Sequence, residues 1–163
     1  PTWLFTVDLP LKWWYICHYM RVILDTNVLV SALRSDMGAS YAIVSQLPSE
    51  RFQMAVTVPL YLQYQDVLTR PEHMAGASTQ GDILRFLRYV CSIAHQQRVF
   101  FLWRPRLKDP NDDMVLEAAV ASQSRYIITH NLRDFTGCGI EEQFGITPMR
   151  PREFLHRLRS REV

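Results

Sequence analysis

Short runs of branched aliphatic residues alternate with amphipathic stretches along the chain, which predicts alternating strands and helices. Residues 21–24 form the first such run, and it stops abruptly at Asp25, as expected of a strand that is buried on both faces of a sheet. Further strands are predicted at residues 51–57, 99–102, 126–129 and 146–149. With the helices between them, these strands form an alternating βαβ pattern.

The helices are predicted from apolar residues that recur every three or four positions. They are expected at residues 27–34, 40–47, 59–69, 82–95 and 151–158, and in the segment that contains Asp113. Residues 72–81 are predicted to form a loop. The sequence shows no internal repeat, low-complexity tract or interdomain linker, so residues 20–163 are expected to form one domain.

The first nineteen residues differ from the rest, since they hold Trp3, Trp13 and Trp14, three of the four tryptophans. Their apolar stretches are too short and too interrupted to cross a membrane, and they lack the basic start of a signal peptide. We interpret Met20 as the natural start and residues 1–19 as a non-native or flexible extension. The alternative is a hydrophobic arm that docks on a partner.

The composition is that of an ordinary globular domain, with 48% hydrophobic and 21% charged residues in a chain of 163. The net charge of +2 excludes a broad basic field of the kind that drives non-specific nucleic-acid binding. Cys17, Cys91 and Cys138 are widely spaced and form no CxxC pair. We therefore predict neither a zinc site nor a disulfide framework, and we expect a cytoplasmic protein that does not associate with a membrane.

Acidic residues recur where predicted strands end and where one helix begins. Asp25 ends the first strand, Asp134 follows the strand at residues 126–129, and Asp112 and Asp113 open a helix. The carboxyl ends of parallel strands meet at one edge of a sheet, so these acids can converge on one crevice.

Each acid also has a purely structural interpretation. Asp25 could cap the next helix, Asp134 could close a turn, and acids in a first helical turn complement the helix dipole. We prefer this structural role for Asp109 and Asp112. We select Asp113 for the site because the alanine-rich helix around it is expected to pack tightly.

Clustered carboxylates repel one another unless a cation lies among them, and hard divalent ions such as Mg²⁺ or Mn²⁺ choose oxygen ligands. Such ions bridge to phosphates and orient water for attack on phosphorus. The sequence contains no GxxxxGK[ST], GxGxxG, GxSxG or HExxH motif that would indicate another chemistry.

Several segments resemble the PIN domain and, more narrowly, the VapC-like PIN toxins of bacterial toxin–antitoxin systems. The segments that carry the resemblance are LDTNV at 24–28, DPNDD at 109–113 and IITHNLRDF at 127–135, with weaker likeness at 58–71 and 144–155. The resemblance runs in the expected order from about Met20 to Leu158. It implies a three-layer α/β/α sandwich with a mostly parallel central sheet and a Mg²⁺- or Mn²⁺-dependent ribonuclease activity.

Site residues and partners follow from the same resemblance. It implies that Asp25, Asp113 and Asp134 are the metal ligands. The residues expected to contact the substrate or metal-bound water are Thr26, Asn27, Asn131 and Arg133. The implied partners are the RNA substrate, a cognate antitoxin protein and a second copy of the chain in a homodimer.

Gln63 departs from the family pattern, which usually carries a glutamate in this helix. An amide oxygen can touch a metal but supplies no negative charge. Either Asp66, which shares that helix face, compensates for the loss, or the chain is a weakened scaffold that binds RNA or protein. We favour retained but reduced activity. The aromatic and aliphatic stripes elsewhere are interpreted as core or dimer surface rather than as a platform for base stacking.

Overall fold

A parallel sheet of five strands in the order β3-β2-β1-β4-β5 forms the centre of the computed structural model, which describes residues 20–74, 79–102, 106–107, 109–137 and 139–160. The strands are β1 (Met20–Leu24), β2 (Phe52–Val56), β3 (His95–Gln96), β4 (Tyr126–Ile128) and β5 (Thr147–Met149). The interpretation of residues 1–19 concerns a segment outside the described residues.

Helices connect the strands and cover both faces of the sheet. They are α1 (Thr26–Arg34), α2 (Ala39–Val44), α3 (Val58–Leu68), α4 (Gln80–Ile93), α5 (Pro110–Ala121), α6 (Leu132–Phe135), α7 (Ile140–Phe144) and α8 (Pro151–Ser160). α5 packs against β1, β2 and β4, and α8 packs against α2 on the other side. The predicted three-layer α/β/α sandwich is confirmed.

The central strand β1 explains the apolar run that opens the domain. Val22, Ile23 and Leu24 are completely buried, because β1 has strands on both edges and helices on both faces. The backbone N–H of Asp25 still donates to the carbonyl of Ile128, at 2.9 Å, so the ladder with β4 reaches the acid itself.

The strand predicted at residues 99–102 is wrong, since the edge strand β3 lies earlier in the chain. The N–H of Gln97 makes the last bond to β2, at the carbonyl of Val56, and β2 then turns into α3. Among the described residues, those directly beyond Gln97 therefore have no strand to pair with, although their composition favours one. Phe100 and Phe101 are instead 75% and 77% exposed.

The short helices α6 and α7 lie where no helix was predicted, because a single turn has no apolar period that a sequence pattern could reveal. The other helices agree with their predicted positions to within a few residues. No helix in the described part of the chain is long and apolar enough to cross a bilayer.

We expect the replacement Phe154→Ala to destabilise the domain by about 3–5 kcal/mol, since it empties a packed aromatic site. The Phe154 ring meets Phe52 edge-on, with centroids 5.3 Å apart, and lies 6.0 Å from the Tyr126 ring. Urea unfolding measures the change. The exposed neighbour Arg152→Ala is the control and should change stability by less than about 0.5 kcal/mol; equal effects of the two replacements would contradict this packing.

Candidate active site at the carboxyl edge of the sheet

Asp25 lies at the end of β1, almost fully buried with 6% exposure. Its Oδ2 accepts hydrogen bonds from Thr129 Oγ1 and from Asn27 Nδ2, each at 2.6 Å. Although Asp25 occupies the N-cap position of α1, its side chain makes no capping hydrogen bond. The carboxylate therefore does not serve the capping role that the sequence left open.

Hydrogen bonds around Asp25 join the ends of β1 and β4. Asn27 Nδ2 also donates to Thr129 Oγ1 at 3.2 Å, and Asn27 Oδ1 accepts from the N–H of His130 at 3.1 Å. Thr129 Oγ1 accepts a further bond from the N–H of Asn131 at 2.9 Å. Asn27 was predicted to contact substrate, but the structure uses its amide to position Asp25 and the loop after β4.

Burial raises the pKa of the Asp25 carboxyl above its ordinary value, and the hydrogen bonds from Thr129 and Asn27 partly offset this effect. A buried carboxylate whose desolvation cost is only partly offset by hydrogen bonds is stabilised by a nearby cation. This end of the central strand is therefore a suitable place for a positive ion.

The surroundings of Asp112 and Asp113 are the reverse of those expected, because the sequence analysis gave Asp112 a structural role and placed Asp113 in the site. Asp113 is buried, and its Oδ1 accepts from the backbone N–H groups of Leu107 at 2.8 Å and Arg106 at 3.2 Å. This carboxylate thus anchors the segment before α5.

Asp112 is half-buried and lies close enough to other acids to be affected by their charges. Burial, and then the negative charges of Asp134 and Asp25, raise the pKa of the Asp112 carboxyl to about 7. This environment, close to other negative charges, is not the one expected for the purely structural role that the sequence analysis preferred for Asp112. For Asp109 the structural role is confirmed, because its side chain accepts from the N–H of Asn111 at 2.8 Å and caps α5.

Asp134 lies on α6, in the loop after β4, and is half-buried. The Asn131 side chain donates from Nδ2 to Asp134 Oδ2, which fixes this acid relative to the end of β4. Arg133, predicted to contact phosphate, is exposed on the same short helix. The loop after β4 therefore brings an acid and a cation to the rim of the site.

Gln63 lies on α3, and its Oε1 is buried without a hydrogen-bond partner. The neighbouring Tyr64 hydroxyl donates to the carbonyl of Leu24, the residue before Asp25, which fastens α3 to the end of β1. Burial and the charge of Asp25 raise the pKa of Tyr64 well above its usual value. The unpartnered amide oxygen of Gln63 is therefore on a helix held against the site.

Asp66 does not replace the missing glutamate. Its side chain is 67% exposed and forms an ion pair with Arg70 at 2.6 Å, one helical turn along α3. The suggestion that Asp66 compensates for Gln63 is therefore wrong, because this carboxylate is occupied at the surface.

The sequence interpretation missed Arg150, which follows β5 at the same edge of the sheet. Burial lowers the pKa of His130, the charge of Asp25 opposes this effect, and the charge of Arg150 lowers the pKa further, so Arg150 lies near His130. His130 Nε2 also lies 2.8 Å from Ser40 Oγ. The position of Arg150 directly after a strand could have identified it in the sequence, as the same position did for Asp25.

The donor set suits a hard divalent ion that keeps much of its water. Among the described residues, no three Asp, Glu, His or Cys side chains are grouped to hold a metal by themselves. Mg²⁺, however, commonly takes only one or two carboxylates and fills its remaining positions with water and phosphate. In the described part of the chain none of Asp25, Asp112 and Asp134 forms an ion pair, and the buried Thr26 Oγ1 lacks a partner.

Comparisons with known proteins agree with this architecture. A family model described as PIN domain matches residues 21–133, more than half of the chain. Among solved structures, a chain of VapBC2 from Rickettsia felis, bound to a DNA fragment from its promoter, is similar with a TM-score of 0.56 and 14% identity. The match covers 80% of this chain and 98% of that chain, and it shows a shared fold. No curated protein sequence matches.

We expect the free energy of unfolding, measured in a chelator, to fall as pH rises from about 4 to about 7. The raised pKa of Asp112 means that the native state binds more protons than the unfolded state in this range, so stability decreases with pH. Asp112→Asn should remove much of the fall, with a gain at pH 8 of roughly 2–4 °C in Tm.

Asp113→Asn is the matched control for that experiment. Because Asp113 accepts hydrogen bonds from two backbone N–H groups, its replacement should lower the free energy of unfolding at every pH, by about 1–3 kcal/mol. If the free energy of unfolding depends on pH in the same way in Asp112→Asn and in the unmodified protein, other negative charges do not raise the pKa of Asp112.

Proposed function

The chain belongs to the PIN domain family, and we propose that it is a ribonuclease that hydrolyses RNA phosphodiester bonds with Mg²⁺ or Mn²⁺. The observation that carries this proposal is the convergence of acids at one sheet edge, where Asp134 and Asp25 help to raise the pKa of Asp112 to about 7. Such crowding costs stability, and a bound cation would relieve it.

One or two of Asp25, Asp112 and Asp134 would contact the ion directly and the rest through its water. Asp113 lies behind them and positions the segment that leads into α5. This assignment keeps two of the three ligands implied by the sequence and moves the helix-borne role from Asp113 to Asp112. The unpartnered oxygens of Thr26 and Gln63 are further donors for the ion or its water. A bound divalent ion supplies a polarised water and a positive charge for the phosphate.

The protein groups contribute orientation and proton transfer. Thr129 and Asn27 fix Asp25 Oδ2, so the remaining oxygen of this carboxylate faces a defined direction. Asp112, protonated in part near neutral pH without a cation, would lose its proton when positive charge arrives. Its carboxylate is then available to accept a proton from an attacking water.

The exposed cations at the rim would bind the RNA backbone. Arg133 lies on α6, in the loop after β4, and Arg150 follows β5, the strand next to β4. Arginine matches phosphate in geometry, and two such contacts can align a strand across the acids without a broad basic surface.

We further propose a toxin that pairs with an antitoxin protein and forms a homodimer. The similar solved structure is of a complex, VapBC2 on promoter DNA, which supports a protein partner for this chain as well. Met37 and Tyr41, exposed around the α1–α2 connection, are candidates for a surface between copies.

A scaffold that binds RNA or protein without cutting is the second candidate. Gln63 favours it, because a neutral amide at this position leaves the ion with less negative charge than a glutamate would provide. The exposed Asp66, paired with Arg70, does not restore that charge. The two candidates differ in whether any divalent ion supports cleavage.

We expect the purified protein to cut structured RNA in Mn²⁺ and to lose this activity in EDTA. Asp25→Asn should reduce cleavage by at least about 100-fold, as expected when a group that binds the ion loses its charge. Asp66→Asn, at the surface of α3, is the matched control and should cut normally. Absence of cleavage in every divalent ion would support the scaffold.

Gln63→Glu should bind Mn²⁺ more tightly, by roughly tenfold, because it adds a charge at a buried oxygen that now has no partner. Calorimetric titration measures the affinity, and cleavage assays in parallel measure activity. Equal affinity and equal cleavage in both proteins would show that Gln63 does not weaken the site.

A further inference from the structure

An apolar cavity of about 300 Å³ opens beside the carboxyl ends of β2 and β3. Its walls come from residues 56–58, which lead from β2 into α3, and from residues 96–98 after α4. Tyr61 of α3 and Cys91 of α4 complete it. This volume is at the lower end of the range for sites that bind small molecules, which suits a single planar group.

The cavity lies on the same edge of the sheet as the acids. β2 is the neighbour of β1, and β3 is the next strand outward. Neighbouring strands are about 4.8 Å apart, so the ends of β2 and β3 lie roughly 5–10 Å from the end of β1, where Asp25 begins the site. A nucleotide next to the cleaved phosphate could therefore reach the cavity.

Two exposed phenylalanines extend this surface. Phe100 and Phe101 line a second cavity of about 260 Å³ against Glu117, Val120 and Ala121 of α5, and Gln97 and Arg98 line both cavities. Because Asp112 is at the start of α5 and Ala121 at its end, this second cavity extends the surface away from the acids. Adjacent exposed rings of this kind indicate a binding surface. They lie in the segment that was predicted to be a strand and that pairs with no strand in the described part of the chain.

The polar groups of the surface suit a nucleic acid. Within the described ranges Arg98 has no acidic partner, and its side chain is exposed. Gln96 Nε2 donates to the carbonyl of Cys91 at 3.1 Å, so its Oε1 is left to accept from a ligand. Aromatic faces beside an arginine form the kind of surface on which unpaired bases stack.

We propose that this aromatic surface, made by Tyr61, Arg98, Phe100 and Phe101, binds unpaired bases of the RNA next to the cleaved phosphate. A ring of the surface stacks on each base, Arg98 contacts the backbone, and Gln96 Oε1 accepts from a base amino group. The proposal rests on the proposed ribonuclease function. RNA is favoured over a protein because the first cavity shares the edge of the acids and carries the exposed cation Arg98. The acid that lines the second cavity, Glu117, is buried and has a contact of its own.

The test uses Asp25→Asn protein, which binds without cutting, and labelled single-stranded pentanucleotides of each of the four bases. Fluorescence anisotropy should show that Tyr61→Leu and Arg98→Ala each weaken binding by about tenfold and reduce the difference between bases. Tyr89→Leu replaces an exposed tyrosine on α4 that does not line the cavity, and it should bind like the parent. Unchanged affinity in both test variants would overturn the proposal.

A crosslinking experiment checks the surface without any substitution there. RNA that contains 5-iodouridine, irradiated on the Asp25→Asn protein, should attach within residues 56–61 or 96–101, as mapped by mass spectrometry. Attachment only elsewhere would overturn the proposal. If Phe101→Ser turns a dimer into a monomer and leaves RNA affinity unchanged, the surface joins copies of the chain, and the proposal is wrong.

The outcomes also separate this proposal from the nuclease proposal. A parent protein that cuts RNA in Mn²⁺ but does not depend on Tyr61 or Arg98 refutes the base-binding surface alone. A protein that never cuts, yet loses pentanucleotide binding in Tyr61→Leu, refutes the nuclease and retains the surface as the binding site of a scaffold.

Discussion

The hydrogen bonds from Thr129 and Asn27 to the Asp25 carboxylate are the interaction on which the site depends. A carboxylate at the buried end of a central strand would be costly without partners. These bonds make it tolerable, and they also tie the end of β1 to the end of β4. The same contacts that stabilise the fold at this edge therefore fix the orientation of the acid.

Crowding of acids shows a balance between stability and function. Burial and the nearby negative charges of Asp134 and Asp25 raise the pKa of Asp112. Its neighbour Asp113 is instead stabilised by hydrogen bonds from two backbone N–H groups. Adjacent residues of one helix thus take opposite roles, one straining the site and one anchoring it. Unfavourable charge is retained where a cation could use it.

The parallel topology concentrates every proposed function at one edge. Because each strand runs in the same direction, the residues after β1, β2, β3, β4 and β5 emerge together. The acids follow β1 and β4, Arg150 follows β5, and the aromatic surface follows β2 and β3. A bound RNA would meet the acids, the cations and the first apolar cavity along a single line of strand ends.

The sequence alone determined the α/β alternation of the longer elements, the strand-end position of Asp25 and the family resemblance, because apolar period and strand-end polarity are local signals. Only the tertiary structure shows that Asp113 anchors the segment before α5 while Asp112 lies near the charges of the other acids, since neighbouring helical residues point about 100° apart. It also decided that residues 99–102 form no strand, because pairing requires a partner strand that β2, ending at Val56, does not provide.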